Sequence, residues 1–146
     1  MSAQVGKPIS AIVNEIRSTA NSYPAMCYRM ATEGGRKFVV PLAFKDKLNW
    51  MGRSYWSTGL MVQNLNTTSN ASVTVTCYAA DGTQAGSASY TVSPQRSKVV
   101  FPLPITTTDF LGSVVVTADQ DVAVAVNHIV SGSTEDTAMS HTGIKR

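Results

Sequence analysis

Apolar and polar positions alternate most cleanly from Ser72 to Ala79, where Val73, Val75 and Cys77 are interleaved with Thr74, Thr76 and Tyr78. A period of two puts every second side chain of a strand on one face, so this segment predicts a half-buried strand. Similar runs predict strands over 59–65, 84–92, 97–103, 113–118 and 121–130. Turn formers separate them: Asn66 to Asn70, Asp81-Gly82, Pro94-Gln95 and Asp119-Gln120, the last predicting a hairpin. Further upstream, Lys37 to Phe44 reads as a strand interrupted by Pro41. Proline has no N–H to give a ladder, which predicts an edge or a bulge there. Short strands are also expected over 9–16 and 27–31, with a loop at 17–26 between them. Residues 45–56, KDKLNWMGRSYW, lack periodicity and predict a long exposed loop with aromatic anchors. A loop is expected at 104–112, and the tail from Ser131 to Arg146 is polar without a strand pattern. No segment carries a helical stripe. Seven to eight short strands at this spacing predict an all-β, antiparallel β-sandwich. Its body is residues 37–130, with an N-terminal strand and connecting segment at 1–36 and a C-terminal tail at 131–146.

One strand occurs twice. ISAIVNEI at 9–16 matches VAVAVNHI at 122–129 under an offset of 113, which also aligns Ser18 with Ser131, Ala25 with Ala138 and Met26 with Met139. A unit of this length is thus preceded by the end of another. A sheet has one place for that strand. The surplus copy must fill an extra position in its own sandwich, dangle, or dock on a neighbour, and docking makes self-association the first expectation. An extended segment added to an exposed edge gains ladder hydrogen bonds. Ile9, Ala11, Val13 and Ile16 are the expected contacts of such an assembly interface. Trp50, Tyr55 and Trp56 join them as aromatic anchors, the kind of residue that carries much of the energy at protein interfaces. Local packing and glycan stacking are the alternatives for those three rings.

Composition narrows the class. Hydrophobic residues make up 43% of the chain and charged residues 14%, about half the usual charged share. Residues 17–53 hold seven basic side chains against Glu33 and Asp46, while 54–144 hold Arg96 and Lys98 against six acids. Opposed charge of this kind can orient subunits in an array. No apolar run is long enough to span a bilayer as a helix, so membrane insertion is not expected. The N-terminus does not read as a signal peptide, so the chain is expected either as a virion-type product or as a piece of a larger exported protein. An extracellular, cell-surface or virion location is the expectation. Cys27 and Cys77 are too few for a disulfide scaffold, and buried free thiols are favoured over one bridge worth roughly 4 kcal/mol.

Residues 37–130 resemble a β-sandwich repeat of large bacterial surface and secreted proteins. STGLMVQNLN at 57–66 and GSVVVTADQDVAVAVNHI at 112–129 carry the likeness, against family patterns close to StGIxVQN and GSxVVTSDQPxAAxVN. Asp121 stands where the pattern has Pro, and the 45–56 loop departs from it. The resemblance implies a structural or adhesive module without a shared catalytic motif.

Candidate chemistry is sparse. His128 shares the parity of Val122, Val124 and Val126, which places it near the rim of the buried face, while His141 falls in the tail. Neither has a neighbouring Cys or His at zinc-ligand spacing. Asp119 and Asp121 offer too few oxygens for calcium and read as turn chemistry. Asn14 and Asn127 are expected at strand ends, bonding the next turn. There is no Gly-x-Ser-x-Gly elbow or activated thiol. The expectation is a non-enzymatic subunit of a filament, array or capsid surface, with no cofactor or metal and no nucleic acid. Its partners would be itself and a cell-surface, glycan or capsid component. A monomeric adhesive or carbohydrate-binding module is the alternative.

Overall fold

The computed structural model describes residues 12–16, 25–29, 33–53, 55–131 and 138–146, the first two segments as backbone. These residues form strands β1 (Ile12–Ile16), β2 (Ala25–Arg29), β3 (Gly35–Lys45), β4 (Trp56–Asn64), β5 (Ala71–Ala79) and β6 (Gln84–Val92). They continue with β7 (Ser97–Val100), β8 (Phe110–Val130), β9 (Ala138–Thr142) and β10 (Ile144–Lys145). All pairing is antiparallel, and the larger sheet holds eight strands without closing into a barrel. The expected all-β, sandwich-type fold is present.

β8 is 21 residues long and organises the rest. Straight, it would run ~70 Å, well beyond the width of a domain of this size. Its first half lies between β3 and β5, and β6 extends the β5 side. The second half lies between β4 and β9, with β7 outside β4. One strand therefore serves both layers, as happens where strands bend between packed sheets. The change of layer falls between Thr117 and Val122. There Gly35 pairs with Val122 and Lys37 with Thr117, so two steps along β3 match five along β8.

This corrects the hairpin expected at Asp119-Gln120. The pair lacks the glycine that a tight two-residue turn needs for positive φ. Its side chains instead hold neighbouring loops: Asp119 Oδ1 accepts the Ser72 N–H at 2.8 Å, and Gln120 Oε1 accepts Asn66 Nδ2 at 3.0 Å. Parity survives the bend, so Val114, Val116, Val122, Val124 and Val126 all point into one core. Phe38, Val40, Leu60, Val62, Val73, Val75 and Val100 complete it from the other strands. Burial of each such side chain contributes about 1.5–3 kcal/mol before entropy is counted.

The bulge expected at Pro41 is present as a register shift between Val40 and Ala43. Gly112 is required by contact: a Cβ there would collide with the Tyr78 carbonyl across the β5–β8 ladder. Two further expectations are corrected. The polar tail supplies edge strands, β9 on β8 and β10 on β3, the first mostly half-buried and the second two exposed residues, too short to show an alternating pattern. The strand expected over 97–103 ends at Val100, although Leu103 and Ile105 beyond it are buried.

Candidate functional site

The sequence repeat is also a structural one. β1 pairs with β2 so that Ile12 faces Arg29, Asn14 faces Cys27 and Ile16 faces Ala25. The end of β8 pairs with β9 so that Ala125 faces Thr142, Asn127 faces Ser140 and Ile129 faces Ala138. Adding the offset of 113 to each residue of the first hairpin gives the second, in identical register. The surroundings differ. The far edge of β8 is covered by β4, from Trp56 opposite Val130 to Asn64 opposite Val122. Among the described residues, β1 has β2 as its one ladder partner, and β2 runs close to β9. Val13 and Ile16 thus lie on a strand with one edge unpartnered among the described residues, whereas Ile9 and Ala11 lie outside them. Asn14 and Asn127 stand within β1 and β8, not at strand ends, because both hairpins extend past them.

A histidine pair marks the second hairpin. His128 is 2% exposed, and its Nε2 lies 3.1 Å from Nε2 of His141 on β9. His141 Nδ1 donates to the Thr142 carbonyl at 3.0 Å, which leaves its Nε2 as an acceptor. His128 Nε2–H therefore donates to it, and His128 Nδ1 must accept. The donor is Thr58 Oγ1 at 2.8 Å, which in turn accepts the Phe44 N–H at 2.8 Å. Each proton in the relay has one assignment when both rings are neutral. Burial, and then the adjacent His141, lower the His128 pKa to about 4. The two rings lie 5.2 Å apart at their centroids. Set against 3.1 Å between the nitrogens, this places the rings nearly end to end. An ion on that line would be far closer to each nitrogen than the ~2.0–2.1 Å of a zinc–imidazole bond. Among the described residues, no cluster of three or more His, Cys, Asp or Glu side chains could hold a metal.

The aromatic loop joins this relay. The Phe44 ring meets His128 edge-on at 5.4 Å, Trp50 at 4.6 Å and Trp56 at 5.8 Å. Trp50 and Trp56 pack T-shaped at 5.3 Å, and Trp56 Nε1 donates to the Trp50 carbonyl at 3.1 Å. Of the three expected anchors, Trp56 is buried, Trp50 is half-buried and Tyr55 is exposed. Local packing, the alternative weighed for these rings, occupies both indoles. The loop is held by reciprocal backbone bonds between Lys47 and Trp56 and between Trp50 and Arg53. Asp46, Asn49, Met51 and Tyr55 all have positive φ. For non-glycine residues that conformation is costly and clusters at functional segments. Outward, the loop presents Leu48, Met51 and Tyr55, of which the pattern of the sequence had singled out Tyr55.

The remaining candidates are structural. Asn64 is buried, with Nδ2 donating to the Ser69 and Val92 carbonyls and Oδ1 accepting the Asn66 N–H. Asp121 pairs with Arg36 at 3.5 Å on the surface. Cys77 is a free, buried thiol, pushed up to about 11 by desolvation. Among the described residues, no helix is long and apolar enough to cross a membrane.

No protein-family model matches the chain, and no curated protein matches it. Solved structures do. The crystal structure of Thermotoga maritima 1070 superposes with a TM-score of 0.61 at 18% identity, covering 77% of this chain and 96% of that one. The Anabaena sensory rhodopsin transducer gives 0.51 at 16% identity, covering 64% and 87%. At these identities the likeness is one of fold.

Proposed function

We propose that this chain is a non-enzymatic β-sandwich building block that associates with further copies of itself through the uncovered edge of β1. One observation carries the reading. The same hairpin occurs twice in one register, and the edge that β4 covers in the second copy lacks a partner in the first among the described residues. An open strand edge is a template for pairing unless something blunts it. Leu48, Met51 and Tyr55 on the strained loop supply a second apolar surface for the same assembly. The resemblance to tandem surface-protein repeats points the same way and favours an extracellular, cell-surface or virion setting.

The test is the solution mass across a range of concentrations. The intact chain is expected above its 15.6 kDa monomer mass. Val13→Pro removes a β1 N–H and stiffens the strand, and is expected to return the chain to monomer with its far-ultraviolet circular dichroism unchanged. A strict monomer, or an assembly indifferent to Val13→Pro, would sink the reading. The strict monomer would favour the adhesive or carbohydrate-binding alternative, for which Tyr55 is the exposed ring left in the loop.

A further inference from the structure

We propose that the His128–His141 contact is a proton-operated latch, which holds β9 on β8 when both rings are neutral and releases β9 on acidification, together with the seat of hairpin β1–β2 beside it. The geometry stands independently of the self-association reading. The relay runs Phe44 N–H to Thr58 Oγ1, Thr58 O–H to His128 Nδ1, His128 Nε2–H to His141 Nε2, and His141 Nδ1–H to the Thr142 carbonyl. It has no site for another proton.

A proton added to His141 sets two N–H groups facing each other across 3.1 Å. A proton added to His128 gives Nδ1 a hydrogen aimed at Thr58, whose hydroxyl then loses its acceptor. Either event leaves a buried donor without a partner, next to a desolvated charge. Among the described side chains, the groups facing the pair cannot compensate; β2, which also runs close to β9, carries Cys27, Tyr28 and Arg29 in its sequence. β3 contributes the Phe44 ring and N–H, and β4 contributes Thr58. β9 brings Met139 opposite His128, and β8 brings Val126 opposite His141. Asp46, just beyond β3, accepts from Ser57 Oγ at 3.4 Å. Apart from the two imidazoles, the facing groups on β3, β4, β8 and β9 carry neither acid nor base.

The sign follows from linkage. His128 resists protonation in the closed state down to about 4, whereas a freed imidazole takes its proton near 6.5. The closed state is therefore fully favoured above about pH 6.5 and loses ground as pH falls from there toward 4. Below that window both states are charged and the loss levels off. Between pH 7.5 and pH 5 the opening equilibrium of β9 should rise on the order of tenfold or more. Opening uncovers the edge of β8 at 125–129, a ladder site for an incoming strand.

Amide hydrogen exchange on the full chain tests this, with rates corrected for intrinsic pH dependence. Protection at 138–142 is expected to fall at least tenfold between pH 7.5 and pH 5, while that of the β5–β6 ladder stays level. In His128→Gln the β9 protection should no longer vary with pH. Should that variant fail to fold, ¹⁵N shifts of the wild-type imidazoles decide the matter. His128 must be neutral at pH 5.5 with its proton on Nε2. A His128 that titrates near 6.5, an Nδ1–H tautomer, or pH-independent protection of β9 would overturn the latch. Protection of β9 that rises when zinc is added at pH 7.5 would overturn it too, in favour of a metal site.

Discussion

Two hairpins of like sequence and identical register differ in their ladder partners among the described residues. In β8–β9 the long strand is covered on both edges, its alternate residues fill the core, and its histidine is sealed beneath Phe44 and Thr58. β1–β2 forms a sheet of its own. The positions of His128 and His141 are taken by Glu15 and Tyr28 in the first copy. Register is set by the hairpin itself, whereas chemistry is set by what closes over it. The position that β4 covers in the second copy holds a neutral, bonded histidine, and the equivalent position in the first copy is a carboxylate in sequence.

The largest effect should come from placing a charge at equivalent positions. Val126→Asp buries an unpaired carboxylate at a fully buried site and should cost about 3–5 kcal/mol, read by urea unfolding. Val13→Asp should leave the unfolding midpoint within about 0.5 kcal/mol while dissolving the assembly. Equal destabilisation by both would mean that the hairpins are embedded alike. Next is Thr58→Val, which keeps the shape but strips the Phe44 N–H and His128 Nδ1 of their partner. A loss of about 2–3 kcal/mol is expected, with no counterpart for the first hairpin; thermal unfolding at neutral pH measures it. Global stability should also fall by about 1–2 kcal/mol from pH 7.5 to pH 5, because an unfolded His128 binds the proton that the folded one refuses. Denaturant curves at the two pH values check this, and an equal loss in His128→Gln would assign it elsewhere. The smallest change concerns the thiols. Cys77, buried with its pKa held near 11, should resist a thiol reagent at pH 8 until the chain is unfolded.

Much of the fold was legible because β strands announce their buried face by alternation. Val73, Val75 and Cys77 on β5 are all buried, and the parity of Val122 to His128 continues inward as read. The pattern could not distinguish a bend from a reversal at Asp119-Gln120, since both preserve parity and both suit polar residues. Ladder partners on β3 and β5 decide that question, and they lie far away in sequence. β9 was hidden for another reason. Four half-buried residues and the exposed Met139 carry no alternation, and the offset of 113 aligned Ala138 and Met139 with Ala25 and Met26, which the pattern had read as the end of a loop and which in fact open β2. Following the repeat through to Tyr28 would have put His141 on a strand across from β8. The aromatic loop was visible as an irregular segment. That its indoles stack inward on Phe44 while Leu48 and Met51 face out depends on positive-φ positions that composition does not reveal.

The continuity of β8 has a mechanical consequence. Most sandwiches can be imagined as two leaves joined by loops, which part when the loops yield. Here a single uninterrupted strand is woven into both leaves, so tension applied to one passes along covalent bonds into the other. Parting the leaves therefore requires the ladder bonds of β8 to break in at least one of them.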